Sequence, residues 1–209
     1  MIQSIDIKLR KGDIMKKQKK NFLNKKNILG LLIAFVMVSS VLGAWQGSYV
    51  AMDKYKDHRF KSKENIVLGK IDGEWIEFSY HPKELESINV SKEALEKIKN
   101  SKMIYITFNP NDKFIQSIEL TRIEMMESFT SEFNIYPAIA VTEESEVYSA
   151  YPVMGCENAT SAIPVMYLQE SEETNIESTG NCIYMNAFNS LEFRPLKDRI
   201  RYSIYGVME

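Results

Sequence analysis

Cys156 and Cys182 are the two residues of this sequence that could join distant parts of the chain covalently. They lie 26 positions apart, and in an oxidising compartment an even pair of this kind indicates a disulfide. In the chain-entropy description, closing a loop of this size stabilises the folded state by about 3.5 kcal/mol. Two buried free thiols are the alternative. A redox-active pair is disfavoured, because the spacing differs from the C-x-x-C arrangement that tunes a reactive thiolate.

The sequence offers few groups for acid–base or metal chemistry. Its two histidines are His58, in a charged segment, and His81, which precedes a proline. A zinc site would need further ligands near one of them, and serine hydrolysis would need a Gly-x-Ser-x-Gly turn, which the sequence lacks. Runs of glutamate typical of solvated turns occur at Glu143, Glu144 and Glu146 and at Glu170, Glu172 and Glu173. We therefore expect no catalytic residue, no metal and no cofactor, and a Gly-rich phosphate loop is also missing.

Two Asn-x-Ser/Thr tripeptides begin at Asn89 and Asn158. Such tripeptides accept N-linked glycans in exported proteins. Asn158 is the stronger candidate because it lies in a predicted loop beside Cys156. Asn89 is weaker, because Ser91 of its tripeptide also has the position of a helix N-cap.

Charge divides the sequence into three parts. Residues 1–26 carry nine Lys/Arg and two Asp, residues 27–52 carry no charge, and the other 157 residues carry 17 basic and 26 acidic side chains. The acidic part argues against a nucleic-acid partner, which would require a basic surface.

The uncharged part contains the apolar run Ile28–Ala44, which has 17 residues. At about 1.5 Å per residue, a helix extending from Ile28 to Val50 is long enough for a bilayer core of about 30 Å. We predict a transmembrane anchor within residues 27–52, with Trp45 and Tyr49 at the membrane interface. The lipid bilayer is then the first expected partner.

This anchor sets the expected orientation. The basic tail of residues 1–26 is predicted to be cytoplasmic, and the C-terminal domain to lie outside the cell membrane. A signal peptide cleaved near Ala44 is the alternative. Met15 is an alternative start of the chain, because codons for Lys11-Gly12-Asp13 can form a ribosome-binding site.

The remainder of the sequence predicts a charged linker over residues 53–64 and a folded domain over residues 65–209. Asp72-Gly73 between two apolar runs indicates a β-hairpin, and Trp75 is expected on the outward face of its second strand. Helices are predicted to start at Pro82 and Ser91. Further predicted elements are the strand MIYITF, a helix over residues 113–133, the strands IYPAIAV, AIPVMYLQE and NCIYMNAF, and a closing amphipathic helix after Pro195.

Strand, helix and strand in succession favour parallel pairing of MIYITF with IYPAIAV, and Pro137 favours an edge position for the latter. The expected fold class is α+β: one N-terminal transmembrane helix followed by an extracytoplasmic domain with a mixed sheet and packed helices.

Several segments of this domain resemble a group of small, membrane-anchored archaeal proteins without assigned activity. The segments are EFSYHPKELESI, MIYITFNPND, GCENATSAIPVMYL, GNCIYMNAF and LKDRIRYSIYGVM, and the resemblance covers roughly Gly69 to Met208. It implies the anchor, the exported domain and the Cys156–Cys182 bridge. It implies no activity and no functional residue.

The function expected from these observations is non-catalytic. We expect a single-pass envelope protein whose outer domain acts as a binding or assembly module for an envelope protein partner. The alternative is a divergent envelope enzyme acting on surface glycans or peptides, with His81 or a turn carboxylate as acid or base. A solute receptor is a third hypothesis and would need an apolar pocket.

Overall fold

The computed structural model describes the backbone of residues 25–46, 51–63 and 65–209, and the side chains of residues 28–40, 52–63 and 65–209. The chain divides into two units, Met1–Tyr49 and Val50–Glu209. Residues 1–24 of the predicted basic tail, the alternative start Met15 and the side chains of Trp45 and Tyr49 lie outside the described residues.

The first unit contains helix α1, Lys25–Gln46. The predicted transmembrane anchor is wrong: in the part of the chain that the structure describes, no helix is sufficiently long and apolar to span a bilayer.

The second unit begins with an antiparallel sheet of four strands in sequence order. The strands are β1 (Ala51–Tyr55), β2 (His58–Lys63), β3 (Ile66–Ile71) and β4 (Glu74–Phe78). The predicted β3–β4 hairpin is confirmed. Asp72 and Gly73 both have positive φ, 50° and 91°, as a type I′ turn requires.

Residues 53–64 differ from the charged linker that we expected, since they contain β2 and most of β1. The high charge of this segment masks the strand pattern in the sequence, because only one residue of β2 is fully buried. Phe60 is fully buried, and its ring meets that of Tyr202 edge-on at a centroid distance of 6.0 Å. His58 therefore lies in a strand and not in a solvated linker.

The second sheet has six strands in the order β5–β9–β10–β8–β6–β7. They are β5 (Asn89–Val90), β6 (Met103–Phe108), β7 (Tyr136–Val141), β8 (Val165–Glu170), β9 (Asn175–Thr179) and β10 (Cys182–Ala187). Strand β6 pairs in parallel with both β7 and β8, and β10 pairs in parallel with β8 but antiparallel with β9. The predicted parallel pairing and the edge position of β7 are confirmed.

Three helices pack on the six-stranded sheet: α2 (Lys92–Asn100), α3 (Ile115–Phe133) and α4 (Phe193–Ile204). Ser91 caps α2 as predicted, because its Oγ accepts a hydrogen bond of 3.1 Å from the Ala94 N–H. Helix α4 contacts β10, and its Tyr202 ring stacks on Phe78 of β4 at 4.0 Å. The second unit is thus a three-layer α+β structure with a mixed sheet.

Helix α4 is buried although it carries many charges. Asp198 is fully buried, and its Oδ2 accepts hydrogen bonds from the backbone N–H groups of Ser79 (2.7 Å) and Tyr80 (3.0 Å). Its Oδ1 lies 3.4 Å from both Lys197 Nζ and Arg201 Nη1. The two cations also meet carboxylates of α3, Glu124 and Glu132, at 2.6 Å. A buried charge is tolerated only when paired in this way.

Replacing Asp198 with Asn should destabilise the protein by about 3 kcal/mol, because it leaves the buried cations of α4 undercompensated. The free energy of unfolding in urea measures this loss. Glu93→Gln is the control. It removes the exposed Glu93–Lys97 ion pair and should change stability by no more than about 0.5 kcal/mol. Equal effects of the two substitutions would contradict the central role of Asp198.

Candidate functional site

The six-stranded sheet has two chemically different faces. Ile106, Leu168 and Met185 belong to the face that is fully buried with the helices in one core. The residues alternating with them point to the opposite face, because successive side chains of a strand alternate between faces. Of these, Tyr167, Gln169 and Tyr184 are only partly buried, and Glu177 is exposed. The opposite face is therefore a solvent-accessible surface with polar and aromatic side chains.

Part of this face is covered by residues 154–164, which we call the covering segment. The Thr107 hydroxyl on β6 donates a hydrogen bond of 2.7 Å to the Met154 carbonyl. The predicted disulfide between Cys156 and Cys182 is present, with the Cα atoms 5.2 Å apart, and it attaches the segment to β10. Val165 and Ala140 are fully buried. The area over β8, β10, β9 and β5 stays accessible, and we call it the open face.

Amide side chains form a row across the open face. Residue pairing places Gln169 beside Asn186, Asn186 beside Asn175, and Asn175 beside Asn89. Gln169 Nε2 donates to Asn186 Oδ1 at 2.9 Å, and Asn186 Nδ2 donates to Asn175 Oδ1 at 2.8 Å. Asn186 Nδ2 also donates to Glu177 Oε1 at 3.0 Å. We call Gln169, Asn186, Asn175 and Asn89 the amide row.

The hydrogen bonds of the amide row fix its orientation. Asn186 is 3% exposed, and both ends of its amide are engaged. Gln169 and Asn175 are partly exposed and Asn89 is exposed. An amide has two donor hydrogens and an oxygen acceptor, so Gln169 Oε1 and Asn175 Nδ2 retain capacity beyond the bonds to Asn186. A bound molecule would meet both an acceptor and a donor in fixed positions.

A second row runs beside the first. Pairing places Thr107, Tyr167, Tyr184 and Glu177 next to one another on β6, β8, β10 and β9. The ring centroids of Tyr167 and Tyr184 are 6.2 Å apart. Burial raises the pKa of Tyr167 and the Asp112 carboxylate adds to the rise, so its hydroxyl stays neutral. We call this the tyrosine row.

The two rows together carry a single ionisable carboxylate, that of Glu177, and no basic side chain. Neutral amides and phenols bind partners through hydrogen bonds and ring contacts, not through ion pairing. This surface suits an uncharged polar molecule.

His81, the histidine among the predicted acid–base candidates, caps a helix. It is 8% exposed and precedes the 3₁₀ helix Pro82–Leu85, with Nδ1 accepting a hydrogen bond of 3.3 Å from the Lys83 N–H. Nδ1 is therefore unprotonated and the neutral ring carries its proton on Nε2. Nε2 lies 3.7 Å from Asp53 Oδ2. Neither nitrogen is placed to remove a proton from a substrate.

The other predicted site residues lie apart from one another. Asn158 is exposed and its Oδ1 accepts a hydrogen bond of 2.9 Å from the Gly155 N–H. Trp75 is 39% exposed, with the Lys61 ammonium 4.0 Å from its ring centroid. Glu143 accepts a hydrogen bond from Asn111, and Glu170 pairs with Lys113. Of the sequence-predicted sites, only Asn89 belongs to the open face.

Several clefts occur elsewhere in the second unit. One, of about 360 Å³, is lined by β4, α3 and α4 and includes Glu77, Glu127 and Arg194. Another, of about 580 Å³, lies beside the end of β7 and includes Glu144 and Tyr148. Within the described ranges, no three His, Cys, Asp or Glu side chains are grouped to hold a metal ion. Glutamate side chains line each of these clefts, unlike the mostly apolar pocket that a solute receptor would need.

Comparison of the chain with protein-family models, with curated proteins and with solved structures found no match. The resemblance to membrane-anchored archaeal proteins thus stays a prediction. The function has to be argued from the chemistry of the open face.

Removing the disulfide should destabilise the protein by about 3.5 kcal/mol, because the unfolded chain regains the freedom of the loop. The test is urea unfolding of the Cys156→Ser/Cys182→Ser variant against the oxidised protein. Reduced wild-type protein is the matched control and should unfold with the variant. A loss below about 1 kcal/mol would contradict this prediction.

His81 should make stability depend on pH. Burial lowers its pKa from 6.5, with the nearby Lys83 charge acting in the same direction and the Asp53 and Glu84 carboxylates opposing. Since the unfolded chain then binds the proton more readily, this contribution to stability is complete above pH 6.5 and declines as the pH falls through 6.5. His81→Asn retains a capping oxygen and should reduce the decline between pH 7.5 and 5.5 in urea unfolding. An unchanged decline would contradict the assignment.

Proposed function

We propose that the unit Val50–Glu209 is a non-catalytic binding module that works in the cell envelope, outside the cytoplasm. The open face is its contact surface. The observation that carries this proposal is the amide row, in which Gln169, Asn186 and Asn175 are joined by hydrogen bonds of 2.8 and 2.9 Å on an accessible sheet face.

The order of the amide row supports a binding role. Asn186 is held on both sides and buried, so Gln169 and Asn175 have restricted orientations before any partner arrives. Side chains fixed in advance lose less conformational entropy on association, which favours affinity.

The disulfide supports a location outside the cytoplasm. Cys156 and Cys182 are bonded to each other, and disulfides persist in oxidising compartments whereas cytosolic thiols are kept reduced. The exposed Asn89 and Asn158 are compatible with export. The proposed partner is therefore a component of the cell envelope.

The contacts of the acid–base candidates favour binding over the enzyme hypothesis. His81 Nδ1 is occupied by the Lys83 N–H, so use of this ring as a base would break the cap of a 3₁₀ helix. Glu143 and Glu170, from the predicted carboxylate runs, are engaged by Asn111 and Lys113. A general acid or base needs free access to the proton that it transfers.

Site-specific photo-cross-linking in the envelope of the host tests this proposal. A photoreactive residue in place of Tyr184 or Glu177 should give the same discrete adduct, and an excess of the unlabelled full chain should compete for it. The control position is Leu191, which is 79% exposed and lies outside the open face. Adducts that form equally from Leu191, or none from Tyr184 and Glu177, would contradict the proposed contact surface.

A second measurement tests the location. Thiol alkylation of intact host cells before and after reduction should leave Cys156 and Cys182 unlabelled in the first sample and labelled in the second. Labelling of both cysteines without reduction would contradict the location outside the cytoplasm.

A further inference from the structure

We infer that the occupant of the open face is an uncharged, polyhydroxylated chain, that is, a neutral oligosaccharide of the envelope. This inference rests on the proposed function, since it names the class of ligand for the same surface. It is carried by the combination of the amide row, the tyrosine row and the distribution of charge.

Hydrogen-bond chemistry is the first argument. A sugar hydroxyl both donates and accepts hydrogen bonds, and amide side chains offer both functions on one planar group. Gln169 and Asn175 are partly exposed, on either side of buried Asn186. Their remaining acceptor and donor can therefore serve adjacent hydroxyls without rearrangement of the row.

The tyrosine row supplies the second argument. Tyr167 and Tyr184 stand beside the amide row with ring centroids 6.2 Å apart, and both are partly exposed. A sugar ring has an apolar face of C–H groups and a rim of hydroxyls. A tyrosine matches it, because the ring is apolar and the phenolic hydroxyl is polar.

Charge is the third argument. Glu177 is the one ionisable carboxylate of the two rows, and neither row contains Lys or Arg. Phosphate and nucleic acid need cationic partners. An extended peptide would pair with a sheet edge and place side chains in pockets, whereas the amide row crosses the face of the sheet. These features favour a neutral hydroxyl-rich chain over an anionic ligand or an extended peptide.

The length of the amide row fits a chain better than a single sugar. It extends over β8, β10, β9 and β5, and at a strand spacing of about 4.8 Å it is roughly 14 Å long. The distance from one strand to the next is close to the length of one pyranose unit. Sugars of one chain therefore have the accessible amides of Gln169, Asn175 and Asn89 to face, on either side of the buried Asn186.

The test uses the oxidised full chain and two probes. These are the neutral and the acidic oligosaccharide fractions released from the host envelope after protease digestion. Titration calorimetry should detect binding of the neutral fraction. Gln169→Ala and Asn175→Ala should each weaken it about tenfold, the effect of one lost hydrogen bond. Tyr184→Ala should weaken it at least as much.

Trp75→Ala is the matched control, because Trp75 is an exposed aromatic residue on the other sheet. It should leave the affinity unchanged. Urea unfolding of every variant establishes that a weakened affinity does not come from loss of the fold. The inference is supported if the wild-type protein and the Trp75→Ala control bind the neutral fraction and the open-face variants bind it more weakly.

Three results would overturn it. They are binding of the acidic fraction in preference to the neutral one, binding that survives both amide substitutions, and no binding of the neutral fraction at millimolar concentration. If the neutral fraction does not bind but the photo-cross-linking experiment still gives an adduct from position 184 to an envelope protein, the ligand class is wrong and the binding function stands. If that adduct is also missing, the ligand class and the binding function are both wrong.

Discussion

The buried charge of Asp198 is the interaction on which the layers of this protein depend. Its carboxylate accepts hydrogen bonds from two backbone N–H groups that follow β4. It also lies beside Lys197 and Arg201 of its own helix, which pair in turn with Glu124 and Glu132 of α3. One carboxylate thus joins the four-stranded sheet, α4 and, through the cations, α3. Hydrophobic contact alone is not directional, whereas these contacts are satisfied in one arrangement. They fix how the sheets and helices sit together.

The open face depends on this arrangement and on the disulfide. With the helices confined to one side of the six-stranded sheet, the other side is available to the covering segment, which Cys156–Cys182 attaches to β10. The segment leaves β8, β10, β9 and β5 accessible, and there the amide row is formed by pairing across four strands. Rigid strands position such side chains better than loops do. The surface is consequently ordered without help from a ligand.

Much of the fold can be predicted from short segments of the sequence, whereas the candidate site cannot. The Asp72-Gly73 hairpin, the Ser91 cap, β6, β7 and the disulfide are each encoded within short segments or by residue type. Strand β9 was missed because ESEETNIESTG is acidic and only Ile176 is buried in the core. Without β9, Asn175 has no place beside Asn186, and the amide row cannot be recognised. A single apolar residue among polar ones gives no alternating pattern, so the sequence carried no clear signal for this strand. The apolar run within α1 was overinterpreted as a membrane anchor.

The position of α4 in the chain has a consequence for when the protein can fold. This helix is the middle layer for both sheets, yet it follows all ten strands in the sequence. Until it is present, Phe78 lacks Tyr202 and Met185 lacks part of its helical cover, so neither sheet can complete the burial of its apolar face. Contacts between distant segments also form slowly. The core of the second unit can therefore close only after the last helix of the chain has been made.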